Sequence, residues 1–176
     1  MEQELHKDVN SYLSFKLGDE VFALSVLKVN KILEMLPITE VPKSPDYMKG
    51  VINLRGKVLP VIDARVKFGL PPVAATKFTC MLVIEALIDD ENIMVTLIVD
   101  AVQAVLKLKD EQILNPPSIG NKFKADFITG MSKVKDKFVM ILDIDKVLSS
   151  DDLINIKAIT EIKKAIKKET TQELTN

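Results

Sequence analysis

Apolar and polar side chains alternate with a period of two along much of this chain, the pattern of strands that bury one face. Tyr12-Leu13-Ser14-Phe15-Lys16-Leu17 alternates, Gly18-Asp19-Glu20 turns, and Val21-Phe22-Ala23-Leu24 returns, which predicts a hairpin. Val29 to Glu34 predicts a third strand, and Pro37, Pro42 and Pro45 exclude regular helix from the connection that follows. A single helical turn is predicted from Pro45 to Lys49. It leads into a strand from Gly50, a tight Arg55-Gly56 turn, and a second strand over Val58 to Asp63. Ala64 to Phe68, closed by Gly69, predicts a short helix. Phe78 to Ala86 and Ile93 to Val99 predict two long buried strands around Asp89-Asp90-Glu91-Asn92, and Val102 to Leu106 continues the sheet. A polar loop over Asn115 to Asp126 precedes a last hairpin, Phe127 to Val134 and Phe138 to Leu142, around Lys135-Asp136-Lys137.

The pattern repeats within the chain. Ile62-Asp63-Ala64-Arg65-Val66-Lys67-Phe68 parallels Leu142-Asp143-Ile144-Asp145-Lys146-Val147-Leu148 at an offset of 143 − 63 = 80. Val29-Asn30-Lys31-Ile32-Leu33 parallels Val102-Gln103-Ala104-Val105-Leu106 at 102 − 29 = 73. Two similar offsets in the same order predict two related β-modules, and frequent short strands favour barrels or a sandwich over a parallel sheet. The C-terminus changes period. Ser149-Ser150-Asp151-Asp152 offers an N-cap with acids in the first turn, and Leu153, Ile156, Ile159, Ile162 and Ile166 recur at helical spacing. The organisation read from this is a polar tail over 1–10, a body over 11–149, an amphipathic helix over 150–168 and a polar tail over 169–176.

Composition narrows the function. A length of 176 residues with 47% hydrophobic and 28% charged side chains suits a soluble domain, and a net charge of −1 gives no basic footprint for nucleic acid. No apolar stretch approaches the roughly 20 residues needed to span a bilayer, and no signal core opens the chain, so a cytoplasmic location without membrane insertion is expected. Cys80, the only cysteine, lies in an apolar run and reads as a small buried hydrophobe. The single histidine, His6, sits in the polar tail, where it suits neither a nucleophilic triad nor a metal cluster. No phosphate-cradling glycine run occurs. Asp63, Asp100 and Asp143 follow buried strands and read as caps, and Asp89, Asp90 and Glu91 as a solvated turn. No enzyme, cofactor or metal is expected. Aromatic side chains are 5% of the chain, with no Trp, which leaves a barrel binding single-stranded nucleic acid as a second reading. A small-molecule sensor using a pocket between the modules is a third.

What remains is Arg55. It stands between Val51-Ile52-Asn53-Leu54 and Val58-Leu59, with Asn53 and Gly56 supplying turn chemistry. One role is a solvated turn residue or a local ion pair. The other is a guanidinium held in a fixed direction for docking, so that less side-chain entropy is lost on binding.

These segments together resemble the CheW family of chemotaxis coupling proteins. The resemblance covers about residues 11–149 through YLSFKLGDEVFAL, LKVNKIL, PDYMKGVINLRGKVLPVIDARVKFGL, LIVDAVQAVL and FITGMSKVKDKFVMILDIDKVL. It implies an all-β fold of two SH3-like five-stranded barrels packed together, with short helices and the C-terminal amphipathic helix. It implies a non-catalytic scaffold that bridges the cytoplasmic tips of methyl-accepting chemoreceptors to the regulatory domain of the histidine kinase CheA, recruited to receptor arrays at the inner face of the membrane. An interaction module of another two-component pathway is the alternative; the same module occurs inside CheA and in CheV fusions, and a standalone adaptor fits this chain.

Carried over by position, the resemblance assigns receptor contact to Val29, Asn53, Leu54, Arg55, Val102 and Val105. Val29 with Ile32, and Val102 with Val105, would line opposite walls of a groove between the barrels; plain barrel core is the competing role for these valines. Kinase contact falls on Gly50 and Val51 in one half and on Leu114 and Ile119 in the other. Lys31 stands where relatives are often acidic, and Thr96 and Ala101 where glycine is frequent, which bears on partner identity more than on fold.

Overall fold

The structure, a computed structural model, describes residues 10–116 and 126–161. His6, Ile119, Ile162 and Ile166 lie outside the described residues, as do most of the predicted 1–10 tail, the 117–125 part of the loop and the chain after 161.

Ten strands make two five-stranded sheets. They are β1 (Ser11–Leu17), β2 (Glu20–Ser25), β3 (Val29–Glu34), β4 (Met48–Leu54), β5 (Lys57–Asp63), β6 (Cys80–Ile88), β7 (Glu91–Val99), β8 (Ala101–Lys107), β9 (Ile128–Val134) and β10 (Lys137–Leu142). The sheet orders are β8-β1-β2-β10-β9 and β3-β6-β7-β5-β4. Three α-helices accompany them among the described residues, α1 (Ala64–Lys67), α2 (Ile144–Val147) and α3 over 150–161, with 3-10 turns at Val26–Lys28 and Asp110–Gln112.

Each sheet curls into an SH3-like barrel because the chain leaving one edge strand crosses to the other edge. After β3, Thr39 exchanges both backbone hydrogen bonds with Val51 of β4, each 2.9 Å. After β8, Leu114 does the same with Met131 of β9, at 2.7 and 2.8 Å. These crossings explain two glycines. Gly50 has φ +142, and a Cβ there would overlap the Thr39 carbonyl; a Cβ on Gly130 would meet Ile113 Cγ2 at 2.5 Å.

The duplication reaches down to individual residues. The β4–β5 ladder bulges between Met48 and Gly50, and the β9–β10 ladder between Ile128 and Gly130, so bulged Lys49 and Thr129 are 129 − 49 = 80 apart. Asn30 and Gln103 occupy the bulges of the β3–β6 and β8–β1 ladders, 103 − 30 = 73 apart. Asp63 and Asp143 cap α1 and α2 alike, each accepting from the N–H two residues on. The two halves of the chain do not form one barrel each, however. Barrel 1 is built from β1, β2, β8, β9 and β10, and barrel 2 from β3 to β7. The chain enters barrel 1, builds all of barrel 2, and returns.

Between the barrels lies a shared core fed by both inward faces: Leu13, Phe15, Leu17, Phe22 and Leu24 from barrel 1, and Leu82, Ile84, Val95, Leu97 and Val99 from barrel 2. The rings of Phe15, Phe22, Phe68 and Phe127 run through it with successive centroids 6.0, 5.6 and 4.9 Å apart. Two ion pairs in related positions clamp its ends with opposite polarity. Arg65 on α1 meets Asp100, which also accepts from the Gly18 N–H at 2.6 Å; Asp145 on α2 meets Lys28 at 3.1 Å and accepts from the Leu87 N–H at 2.7 Å. Asp100 is therefore an inter-barrel clamp, where the sequence suggested a cap.

Other local expectations also change. Pro45 to Met48 is a β-turn closed by the Met48 N–H on the Pro45 carbonyl at 2.9 Å, and the strand starts two residues before Gly50. Asp89 and Glu91 are tethered to α3, accepting from Ser150 at 3.0 Å and from Lys157 at 2.6 Å.

Helix α3 packs its Leu153, Ile156 and Ile159 into the shared core. Its first turn is a capping box: Ser149 Oγ accepts from the Asp152 N–H at 3.2 Å, and Asp152 Oδ2 accepts from the Ser149 N–H at 2.7 Å. The same carboxylate takes Lys67 Nζ at 2.7 Å and the Tyr47 hydroxyl, and Lys67 lies 4.2 Å over the Tyr47 ring.

Candidate docking surfaces

The β4–β5 hairpin presents Arg55. Both turn residues have positive φ, Arg55 at 52° and Gly56 at 85°, as a two-residue turn requires when its twist must match right-handed strands. Asn53 Oδ1 accepts from the Gly56 N–H at 3.0 Å, and Leu54 packs its side chain against the interior of barrel 2. Asn53 and Arg55 are exposed, and Leu54 is half-buried. The guanidinium thus projects from backbone fixed on both sides, at the cost of a conformation that side chains other than glycine seldom adopt. Along one flank a cleft of about 500 Å³ separates Gly56 to Pro60 from Ile156, Lys157 and Glu161 of α3.

Strand β8 is the second surface. It is an edge strand of barrel 1, and Gln103, Ala104 and Val105 are exposed along it. Val105 is 44% exposed; Val102 is half-buried against the shared core. Beside Val102 sits the Cys80 thiol, whose pKa burial raises despite the opposing Val102 N–H, so it stays a poorly ionised, half-buried side chain.

The predicted groove walls are unequal. Strands β3 and β8 are equivalent in the duplication, but Val29 is 0% exposed and Ile32 is buried with it, so their side chains belong to the core. Val29 helps hold β3 in place and has no surface to offer. The difference comes from neighbours, which sequence spacing does not record. The residues predicted to contact a receptor therefore fall into two surface groups, the hairpin tip on barrel 2 and the β8 edge on barrel 1, with Val29 buried in the core.

Of the residues predicted to contact a kinase, Gly50, Val51 and Leu114 lie at the two barrel closures. Gly50 and Val51 are buried, Val51 to 5%, and act through the backbone by seating Thr39. Leu114 is 56% exposed at the matching closure of barrel 1. The exposed residue at the barrel 2 closure is Thr39, which sequence reading missed; the glycines at an interval of 80, each facing a crossing strand, are the signal that could have found it.

The comparisons with known proteins fall on this architecture. A family model described as CheW-like domain matches residues 11–152. The chain belongs to the CheW-like family. A chemotaxis protein CheW from Klebsiella aerogenes is 34% identical over 142 residues, covering 81% of this chain and 83% of that one. Another from Helicobacter pylori is 30% identical over 149 residues, covering 85% and 87%. Among solved structures, the scaffolding protein TtCheW from Thermoanaerobacter tengcongensis superposes with a TM-score of 0.71 at 29% identity, covering 82% of this chain and 96% of that one. The CheW-like family is one of chemotaxis scaffolds, and the twin-barrel fold expected from the sequence is the fold found. No helix among the described residues is long and apolar enough to cross a membrane.

Proposed function

We propose that this chain is a non-catalytic chemotaxis adaptor that couples the cytoplasmic tips of chemoreceptors to the histidine kinase CheA. The observation that carries the reading is the Arg55 turn, where an exposed guanidinium stands on backbone that its own side chain would not choose. Such a turn fixes the direction of the side chain it carries, so less side-chain entropy is lost on docking. A receptor tip would meet Arg55, Asn53 and the rim of Leu54 on one barrel, and Val102 and Val105 on the edge of the other. The kinase regulatory domain would meet the closures marked by Thr39 and Leu114. Such transient signalling contacts bury on the order of 1,000 Å² in total.

The test is co-purification with CheA and receptor fragments. Arg55→Glu reverses an exposed charge and should change stability by no more than about 0.5 kcal/mol. Receptor capture should be lost while kinase capture persists. Capture of both partners at the unsubstituted level would remove Arg55 from the site.

A further inference from the structure

The two barrels share topology but differ in what fills them. The interior of barrel 2 is apolar apart from Thr96, built on Leu33, Ile52, Leu59, Val61, Met81 and Val83, with Leu54, Met94 and Ile98 packed against them. In barrel 1 the corresponding cluster has only Val21, Ala23 and Val139 as buried members, with Tyr12, Leu106 and Val134 alongside.

Register makes the comparison residue by residue. Val61 pairs with Thr96 in barrel 2, and Ile141, its counterpart at 61 + 80 = 141, pairs with Ala23 in barrel 1. Thr96 faces Val83, and Ala23 faces Ser14. Val83 is thus replaced by Ser14, Met94 by Val21, Leu59 by Val139 and Ile52 by Ser132. These four exchanges are all to smaller side chains; Ile141 for Val61 and Tyr12 for Met81 run the other way, and the balance is a loss of volume.

The missing volume is present as a cavity of about 340 Å³ bounded by Val21, Leu106, Val134 and Val139, with Ser14 already hydrogen-bonded to both backbone groups of Ala104. Lys135 and Lys137 line it as well, no acidic residue does, and neither lysine is in an ion pair among the described residues.

From the volume deficit and the one-signed lining we infer that barrel 1 is a binding site for a small aliphatic carboxylate, its chain inside the barrel and its head group at Lys135 and Lys137. A cavity of about 150 Å³ takes benzene, so this one holds about ten heavy atoms, the size of octanoate. Gln103 and Ala104 of β8 also line the cavity, so it adjoins the second docking surface, but ligand titration tests it independently of partner capture.

The experiment titrates the full chain with octanoate, followed by methyl NMR and calorimetry, beside octanol and octyltrimethylammonium. Saturable shifts at Val21, Leu106 and Val139 are expected with octanoate, weaker ones with octanol and none with the cation. Lys135→Glu with Lys137→Glu, both on an exposed turn, should weaken octanoate roughly tenfold without changing the melting temperature. Val21→Met with Ser132→Ile, which restores the residues of barrel 2, should abolish binding. The inference is overturned by the absence of saturable shifts at millimolar octanoate. It is equally overturned by tight binding of the cation, or by binding that the lysine reversals leave unchanged.

Discussion

Asp152 fastens α3 to the barrels, and its removal gives a direct measure of that attachment. The side chain is 6% exposed, and its hydrogen-bond partners all donate: Lys67 Nζ at 2.7 Å, the Ser149 N–H at 2.7 Å, Ser149 Oγ at 3.0 Å, and the Tyr47 hydroxyl. Asp152→Asn keeps the size but turns one acceptor into a donor facing donors, and leaves the Lys67 ammonium without its counter-charge. Breaking a buried pair by removing one partner costs about 3–5 kcal/mol. Lys67 retains 18% side-chain exposure and its contact with the Tyr47 ring, which places this case near about 3 kcal/mol. Urea unfolding measures the loss, and amide exchange over 153–160 should show α3 opening before the barrels. Pairing the change with Lys67→Met should recover part of the loss, because no charge is then left alone. The pH dependence has a definite sign. Burial alone would raise the Asp152 pKa, but hydrogen bonds from Lys67, the Ser149 N–H and Tyr47 outweigh it and hold the carboxyl below 3.8. A depressed folded pKa gives stability that is present above the ordinary carboxylate range and lost as the pH falls through the folded value. The variant should therefore lack that acid-side decline. A loss below about 0.5 kcal/mol with unchanged amide protection would refute the bolt.

Further consequences concern single positions. Gly50→Ala drives a Cβ into the Thr39 carbonyl and should cost more than about 4 kcal/mol by thermal unfolding, whereas Gly130→Ala meets the Ile113 side chain at 2.5 Å and the Leu114 carbonyl only at 3.1 Å and should cost about 1–3 kcal/mol; equal losses would contradict the closure argument. Thr96 is fully buried and its Oγ1 has no hydrogen-bond partner, so Thr96→Val should raise stability by about 1 kcal/mol in urea titration. Arg55→Gly relaxes a φ of 52° and should stabilise by about 1 kcal/mol while receptor capture is lost, and a drop in stability would show that the turn is unstrained. Tyr47 is pushed up to about 12 by burial and by the Asp152 carboxylate. Its contribution is present below 10 and lost as the pH rises toward about 12, so Tyr47→Phe should flatten the alkaline limb of the stability profile.

Period-two alternation placed most of the strands, because a half-buried strand must alternate wherever it lies. The capping aspartates and the Arg55-Gly56 turn were equally legible, since a short polar side chain before a helix and a glycine in a two-residue turn answer to local geometry. The offsets of 80 and 73 marked the duplication for the same reason. Tertiary structure alone decided which strands share a barrel. The parallel pairing of β2 with β10 and of β5 with β7 exchanges elements between the halves, and no local pattern encodes partners that lie 139 − 21 = 118 and 96 − 61 = 35 residues away. It also decided the fate of equivalent positions. Ile32 and Val105 occupy matching positions, 105 − 32 = 73 apart, but one is enclosed by the shared core while the other meets solvent on an open edge, because burial is a property of neighbours and a sequence lists only the residue itself.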